Sequence, residues 1–216
     1  MRLFDKLFRR SKNQEVILGQ HYSLEDLTPI FCGNSGITLS PLGGAQIENE
    51  AYPKILSIMW EDSKNIHKFL PTLDFSSEIK VLNYMFETCI ATETGLKFTY
   101  VITVDHIPAG MFIISTPSAN KISLGYKHWT MDFFIFKAFE GQGIMSVALP
   151  RMLLHLKNIG IENLHLIIDK GNQRCLNLVN KFPFNEISNP NWYNPSTGEK
   201  PCLYVCNLSS IRFQVQ

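Results

Sequence analysis

The spacing of apolar residues changes twice along the chain. Through 48–69 apolar side chains return every three or four positions, at Tyr52, Ile55, Leu56, Met59, Ile66 and Phe69. That is the period of a helix with one buried face, and it predicts a helix over 48–69. The stretch 76–90 repeats the habit with Ile79, Leu82, Met85, Phe86 and Cys89, with Ser76 and Ser77 as caps and Thr94-Gly95 as a stop. From 98 the period falls to two. Residues 98–104 and 111–115 predict an antiparallel hairpin around a turn at 105–110, and 130–136 predicts a central strand. Met145, Ala148, Leu149, Met152, Leu156 and Ile159 then mark a second kind of helix face, ended by Gly160, with Ile161 folding back on Leu156. Pro150 lies inside it and costs about 3 kcal/mol in a regular helix, so a kink or an irregular first turn is expected. A buried strand at 163–168 follows. Asn172 caps a short helix that buries Cys175, Leu178, Val179 and Phe182, and strands at 184–187 and 203–208 close the chain.

Before the helices, Ile37-Thr38-Leu39 reads as a first strand, stopped by Pro41 and Gly43-Gly44. The expected organisation is an N-terminal extension, 1–35, and one domain, 36–210. The element order predicts an α/β (α+β) domain with a mixed, mostly antiparallel sheet flanked by helices. In the extension, Leu3, Phe4, Leu7 and Phe8 fall at helical spacing among Arg2, Lys6, Arg9, Arg10 and Lys12. A short basic amphipathic helix of this kind either touches a membrane surface or partner through 2–12, or docks on its own domain.

Composition narrows the class. Of 216 residues, 45% are hydrophobic and 18% charged, a globule's composition rather than a disordered chain's. A net charge of +1 argues against nucleic-acid binding over a broad surface. Five cysteines, an odd number in a chain this long, predict reduced thiols and a cytoplasmic protein. Cys202 and Cys206 have no second ligand pair, so no metal site is expected. No apolar run approaches the ~18 residues of a membrane span, and the start lacks a signal peptide's apolar core.

The most informative segment is 133–146. A strand runs into Lys137-Ala138-Phe139-Glu140-Gly141-Gln142-Gly143-Ile144-Met145-Ser146, and a helix begins inside it. Glycines let the backbone turn tightly and approach a ligand. The first N–H groups of the helix have no intrahelical partner and favour an anion, so strand, Gly-x-Gly, helix is a phosphate cradle.

Gly141-Gln142-Gly143-Ile144-Met145, followed by helix, strand, Asn172-Gln173-Arg174-Cys175 and Lys181-Phe182-Pro183-Phe184, resembles the GNAT acetyltransferases, in particular the branch with the ribosomal-protein N-terminal acetyltransferases. The likeness runs from Gly36 to Leu208 and includes the hairpin ending in Pro108-Ala109-Gly110. It implies acetyl-CoA as co-substrate and direct acetyl transfer to a primary amine, a protein N-terminus or a small amine. Backbone N–H groups of Gly141, Gln142, Gly143, Ile144, Met145 and Ser146 would hold the diphosphate. Phe134 and Ile135 would pair with the pantetheine arm, and Asn172 would sit beside it. A backbone N–H of the central strand would stabilise the oxyanion.

On this reading Asp132 stands beside the acetyl position, where burial raises a carboxyl toward a useful base. His165 on the neighbouring strand titrates near neutrality. Tyr193 and Tyr204 are candidate acids, and Cys175 is a packing residue rather than a nucleophile. The acceptor would lie against the helices of 48–90 and the loop 189–201, where Trp60, Trp192 and Tyr193 are available; a homodimer is compatible with it. The chain departs from the family pattern at Glu140 (usually Gln or Arg), Met145 (Gly or Ala), Cys175 (Ser), Pro183 (Gly) and Val179, where many members carry a Tyr acid. Two alternatives follow: a non-catalytic acyl-CoA-binding or sensor protein of this fold, and a Rossmann-type dinucleotide site using Gly141, Gly143 and Asp169.

Overall fold

Eight strands form one sheet in the computed structural model, which describes residues 22–43, 51–70, 73–124, 127–187 and 200–211. They are β1 (Ile30–Phe31), β2 (Ile37–Pro41), β3 (Lys97–Val104), β4 (Ile107–Ser115), β5 (Trp129–Ile135), β6 (Asn163–Ile168), β7 (Phe184–Ile187) and β8 (Cys202–Asn207). Their order is β1-β2-β3-β4-β5-β6-β8-β7. Every neighbouring pair is antiparallel except β5–β6. A doubly wound dinucleotide fold needs repeated parallel units, so the Rossmann alternative falls here. The mixed, mostly antiparallel sheet is the expected one.

The helices are α1 (Ala51–Glu61), α2 (Ser63–Phe69), α3 (Glu78–Glu93), α4 (Pro117–Leu124), α5 (Ile144–Asn158) and α6 (Gln173–Val179). Strand alternation sorts them onto two faces. Phe98, Tyr100, Phe112, Ile114, Met131, Leu164 and Leu166 pack against Met145, Ala148, Leu149, Met152, Leu153 and Leu156 of α5. Val101 and Met111 face the other way, onto Ile55, Met59, Ile66, Val81 and Met85 of α1, α2 and α3.

The expected helix over 48–69 is two helices, broken at Asp62, whose buried carboxylate accepts the backbone N–H of Lys137 at 2.9 Å. The expected six-residue hairpin turn shrinks to Asp105-His106, which take φ of 47° and 67°, the left-handed pair a two-residue turn needs. The chain also joins the sheet before Ile37. β1 pairs with β2, and buried Tyr22 donates its hydroxyl to the Thr92 carbonyl at 2.9 Å. At the end of α5, Gly160 N–H reaches Lys157 O and Ile161 N–H reaches Leu156 O, both at 3.0 Å, which is the Schellman cap the sequence predicts. Pro150 sits within the helix. The segments carrying Leu3 to Lys12, Trp192 and Tyr193 lie outside the described residues.

Candidate active site

β5 is zipped to β4 from Gly110↔Ile135 to Ser115↔Thr130. A Cβ at Gly110 would stand 2.3 Å from the Phe134 carbonyl oxygen, so only glycine lets β4 lie this close. Toward β6 the pairing stops after Trp129↔Leu164 and Thr130↔His165, while β6 continues on β8 through Ile168↔Cys202. Beyond Thr130 the two parallel strands therefore part, and one edge of β5 is left without a strand partner.

A cleft of about 730 Å³ opens there. Phe133, Phe134, Ile135, Phe139, Glu140, Gly141, Gly143, Ile144, Met145 and Ser146 form one bank. Asn172, Arg174, Cys175, Asn177, Leu178 and Lys181 form the other, and Asn65 and Ile66 of α2 reach over it. Of the expected cofactor contacts, Phe134, Ile135, Gly141, Gly143, Ile144, Met145, Ser146 and Asn172 line the cleft. The Gln142 side chain does not: its amide turns back and donates to the Ala138 carbonyl at 3.1 Å.

The segment expected to cradle a phosphate presents backbone to the cleft. Gly141 and Gly143 take φ of 76° and 75°, and Gly143 is the cap residue of α5 with no side chain closing the first turn. The N–H groups at this end point outward at the positive pole of a fifteen-residue helix. Glu140 precedes them. Burial would raise its carboxyl, but the Asn65 amide and the Arg174 guanidinium outweigh that and hold it below the usual range. Asn65 donates to Glu140 at 3.1 Å and to Asp62 at 3.3 Å, and Arg174 pairs with Glu140 from the opposite bank. The carboxylate of Glu140, a departure from the resembled pattern, thus forms a tie across the cleft mouth. Arg174, Asn177, Lys181 and Asn65 line the cleft beyond the contacts the sequence predicts. The available signal was the pair of cations, Arg174 and Lys181, in the segment that starts at the Asn172 cap.

The candidate acid–base groups divide between the faces. His165 pairs with Thr130, and Asp132 lies two residues further along β5, so both share the α1–α3 face. Tyr204 pairs with Leu166 and belongs to the cluster under α5, on the opposite face. Asp132 stands two residues beyond the last β5–β6 pair, and none of Asp132, His165 and Tyr204 is among the residues that line the cleft. Burial raises the Asp132 carboxyl above the ordinary value, and Lys97 offsets this in part. Burial and the neighbouring His128 lower His165, which is neutral at pH 7. Burial raises the Tyr204 phenol. Cys175, whose N–H is accepted by the Asn172 side chain at 3.1 Å, lines the cleft between the two faces; burial and the Asp132 charge push its thiol up to about 12, so it stays protonated and is a poor nucleophile. Val179 is fully buried. Among the described residues no group of three or more His, Cys, Asp or Glu is placed to hold a metal ion, and no helix is long and apolar enough to cross a membrane.

A mixed sheet whose one parallel pair among the described residues splays beside a glycine-capped helix is the GNAT acetyltransferase fold. Among solved structures, the chain is similar to the acetyltransferase from Salmonella typhimurium that modifies the N-terminal serine of ribosomal protein L7/L12, at 16% identity and TM-score 0.63 over 83% of this chain and 98% of that one. It is similar to the ribosomal-protein acetyltransferase RimL in complex with coenzyme A, at 16% identity and TM-score 0.67 over 83% and 97%. The self-immunity acetyltransferase MccE, bound to acetyl-CoA and AMP, matches at 14% identity and TM-score 0.64 over 81% and 93%. No family model matches the sequence, and no curated protein matches it.

Proposed function

We propose that this chain is a cytoplasmic N-acetyltransferase that moves an acetyl group directly from acetyl-CoA to a primary amine, a protein N-terminus or a small amine. One observation carries the reading: the gap between β5 and β6 opens straight onto the uncapped, glycine-preceded N-terminus of α5. Structural neighbours bound to coenzyme A or acetyl-CoA support it.

In this reading the N–H groups from Gly141 to Met145 hold the diphosphate, the Ser146 N–H being given to the Gly143 carbonyl at 3.0 Å, with Arg174 and Lys181 adding positive charge from the far bank. The pantetheine amides pair with the free edge of β5 at Phe134 and Ile135, in place of the strand that is missing there. Asn172 fixes the far bank. The thioester then lies at the fork, beside Asp132. The amine attacks the carbonyl carbon only when neutral, and Asp132 takes its proton directly or through water. A β5 N–H turned toward the gap stabilises the oxyanion. The C–S bond then breaks, and the sulfur takes a proton. Tyr204 and His165 are the remaining acid and base candidates of the scheme; they lie on opposite faces of the sheet and neither lines the cleft, whereas the Cys175 thiol is a protonated group on its wall.

The test is calorimetry with coenzyme A, followed by thiol release from acetyl-CoA over a panel of N-terminal peptides and small amines. Micromolar binding with acceptor-dependent release supports the enzyme. Tight binding with no release for any acceptor favours the acyl-CoA-binding protein, a reading helped by Val179 standing buried where many relatives carry a phenol. No binding at millimolar concentration overturns both.

A further inference from the structure

Thr99 on β3, Ile113 on β4 and Asp132 on β5 stand in one cross-strand row, paired Thr99↔Ile113 and Ile113↔Asp132. Strand alternation turns all three side chains to the face that carries α3. Tyr84 of α3 packs over this face in the same cluster as Val101 and Met111, its ring held edge-on by Phe75 at 5.0 Å between centroids. The Tyr84 hydroxyl and the Thr99 hydroxyl are both buried, and neither makes a hydrogen bond of full geometry, the phenol lying close to the Thr88 and Thr99 hydroxyls. A buried hydroxyl without such a bond is rare in a native fold, and two on one row beside a carboxyl are a spare donor set. Burial pushes the Tyr84 phenol up to about 12, with the Thr88 and Thr99 hydroxyls lowering it and the Asp132 charge raising it, so it remains a donor across the working pH range.

We infer that Tyr84 is a positioning residue for Asp132: its hydroxyl, backed by that of Thr99, donates directly or through one water to the carboxylate and steadies its charged form. The inference deepens the reading of Asp132 as the base and rests on it. Burial alone leaves a carboxyl protonated too long to serve as a base, and a donor aimed at its charged form restores ionisation near neutrality. The other groups facing Asp132 do not replace this donor. Lys97 of β3 is exposed, Cys175 of α6 carries a weak S–H, and His165 of β6 is neutral.

Two readouts test it on the full chain. The first is the Asp132 carboxyl titration, followed by carbon NMR on aspartate-labelled protein and assigned with Asp132→Asn. The second is the pH profile of kcat/KM. Tyr84→Phe is expected to raise the Asp132 pKa and move the acidic limb of the profile upward together, by about one pH unit. Thr99→Val, which removes only the backing hydroxyl, is expected to give a smaller shift of the same sign. A merely structural role would lower activity evenly at all pH values. An Asp132 titration unchanged in a folded Tyr84→Phe protein overturns the inference. A carboxyl that shifts while the limb stays fixed overturns instead the reading of Asp132 as the base and upholds its coupling to Tyr84.

Discussion

The two ends of the gap between β5 and β6 are held by different means. At the closed end, β5 pairs with β6 through Trp129 and Thr130, and this end of β5 is in turn tied to the end of β4 by one buried side chain, Asn120 of α4. Its amide donates to the His128 carbonyl at 2.6 Å, the Thr130 hydroxyl at 3.1 Å and the Ser115 carbonyl at 3.3 Å. At the open end no strand pairing remains, and the contacts that span the mouth are polar and partly exposed, Glu140 with Arg174 and with Asn65. Rigidity is thus concentrated where the strands must stay together, and exchangeable contacts where a ligand must enter. Asp132 sits at the fork between them.

The largest effect is expected at the fork. Asp132→Asn removes the proposed base and should lower kcat/KM by about a hundredfold or more. The same change should stabilise the fold near neutrality. A carboxyl raised by burial binds its proton more tightly in the folded state, so stability falls as pH climbs from the unfolded carboxyl range through the folded value, and the full penalty persists above it. Denaturant melts of the two proteins should therefore diverge at neutral pH and converge in acid. An Asn variant that is both inactive and less stable at pH 7 would mean that Asp132 is a structural anchor.

The closed end comes next. Asn120→Ala leaves the Thr130 hydroxyl and two carbonyls short of a donor in a buried place, at a cost of about 1–3 kcal/mol. At about 2–4 °C per kcal/mol for a chain of this size, thermal melting should register it clearly. The affinity for coenzyme A should change little, because the cradle lies at the other end. Equal losses of stability and affinity would show that the two ends are not independent.

Gly143→Val probes the open end. A residue with a Cβ held at φ of 75° costs about 1–2 kcal/mol. Relief of that strain deforms the first turn of α5, so the affinity for coenzyme A should drop about tenfold, the equivalent of 1.4 kcal/mol. Here the loss in binding should match or exceed the loss in stability, the reverse of Asn120→Ala.

This contrast also explains what could be read from the chain. The open end is local: strand, glycines and helix start are contiguous in 133–146, and nearly every expected contact there lines the cleft. The closed end depends on register between strands far apart in sequence, and nothing around Asn120 announces that its amide will meet both ends of the α4 connection. The break at Asp62 was hidden for a related reason. The apolar period runs smoothly through 55–66, and the backbone N–H of Lys137 that occupies the Asp62 carboxylate comes from a segment 75 residues away. The face assignment of Tyr204 likewise needed the pairing Leu166↔Tyr204, which strand composition does not contain.

The smallest effect, and the one with a sign to decide, concerns Glu140. Glu140→Gln keeps an amide partner for Asn65, breaks the ion pair with Arg174 and removes a negative charge from the residue that precedes the cradle. The pair itself contributes little, since Arg174 is 81% exposed and an exposed pair is worth about 0–1 kcal/mol in a screening solvent. That contribution exists above the unfolded carboxyl pKa and fades as pH falls through the depressed folded value, so any stability difference between the two proteins should vanish in acid. Against this small loss stand two gains for a diphosphate ligand: less repulsion at Gly141, and an Arg174 guanidinium released to reach the phosphates. Coenzyme A should therefore bind a few-fold more tightly to Glu140→Gln, and the gain should shrink as salt is added. Weaker binding at every salt concentration would mean that the tie from Glu140 to Arg174 holds the mouth in its binding shape, and that the open end is as much a built structure as the closed one.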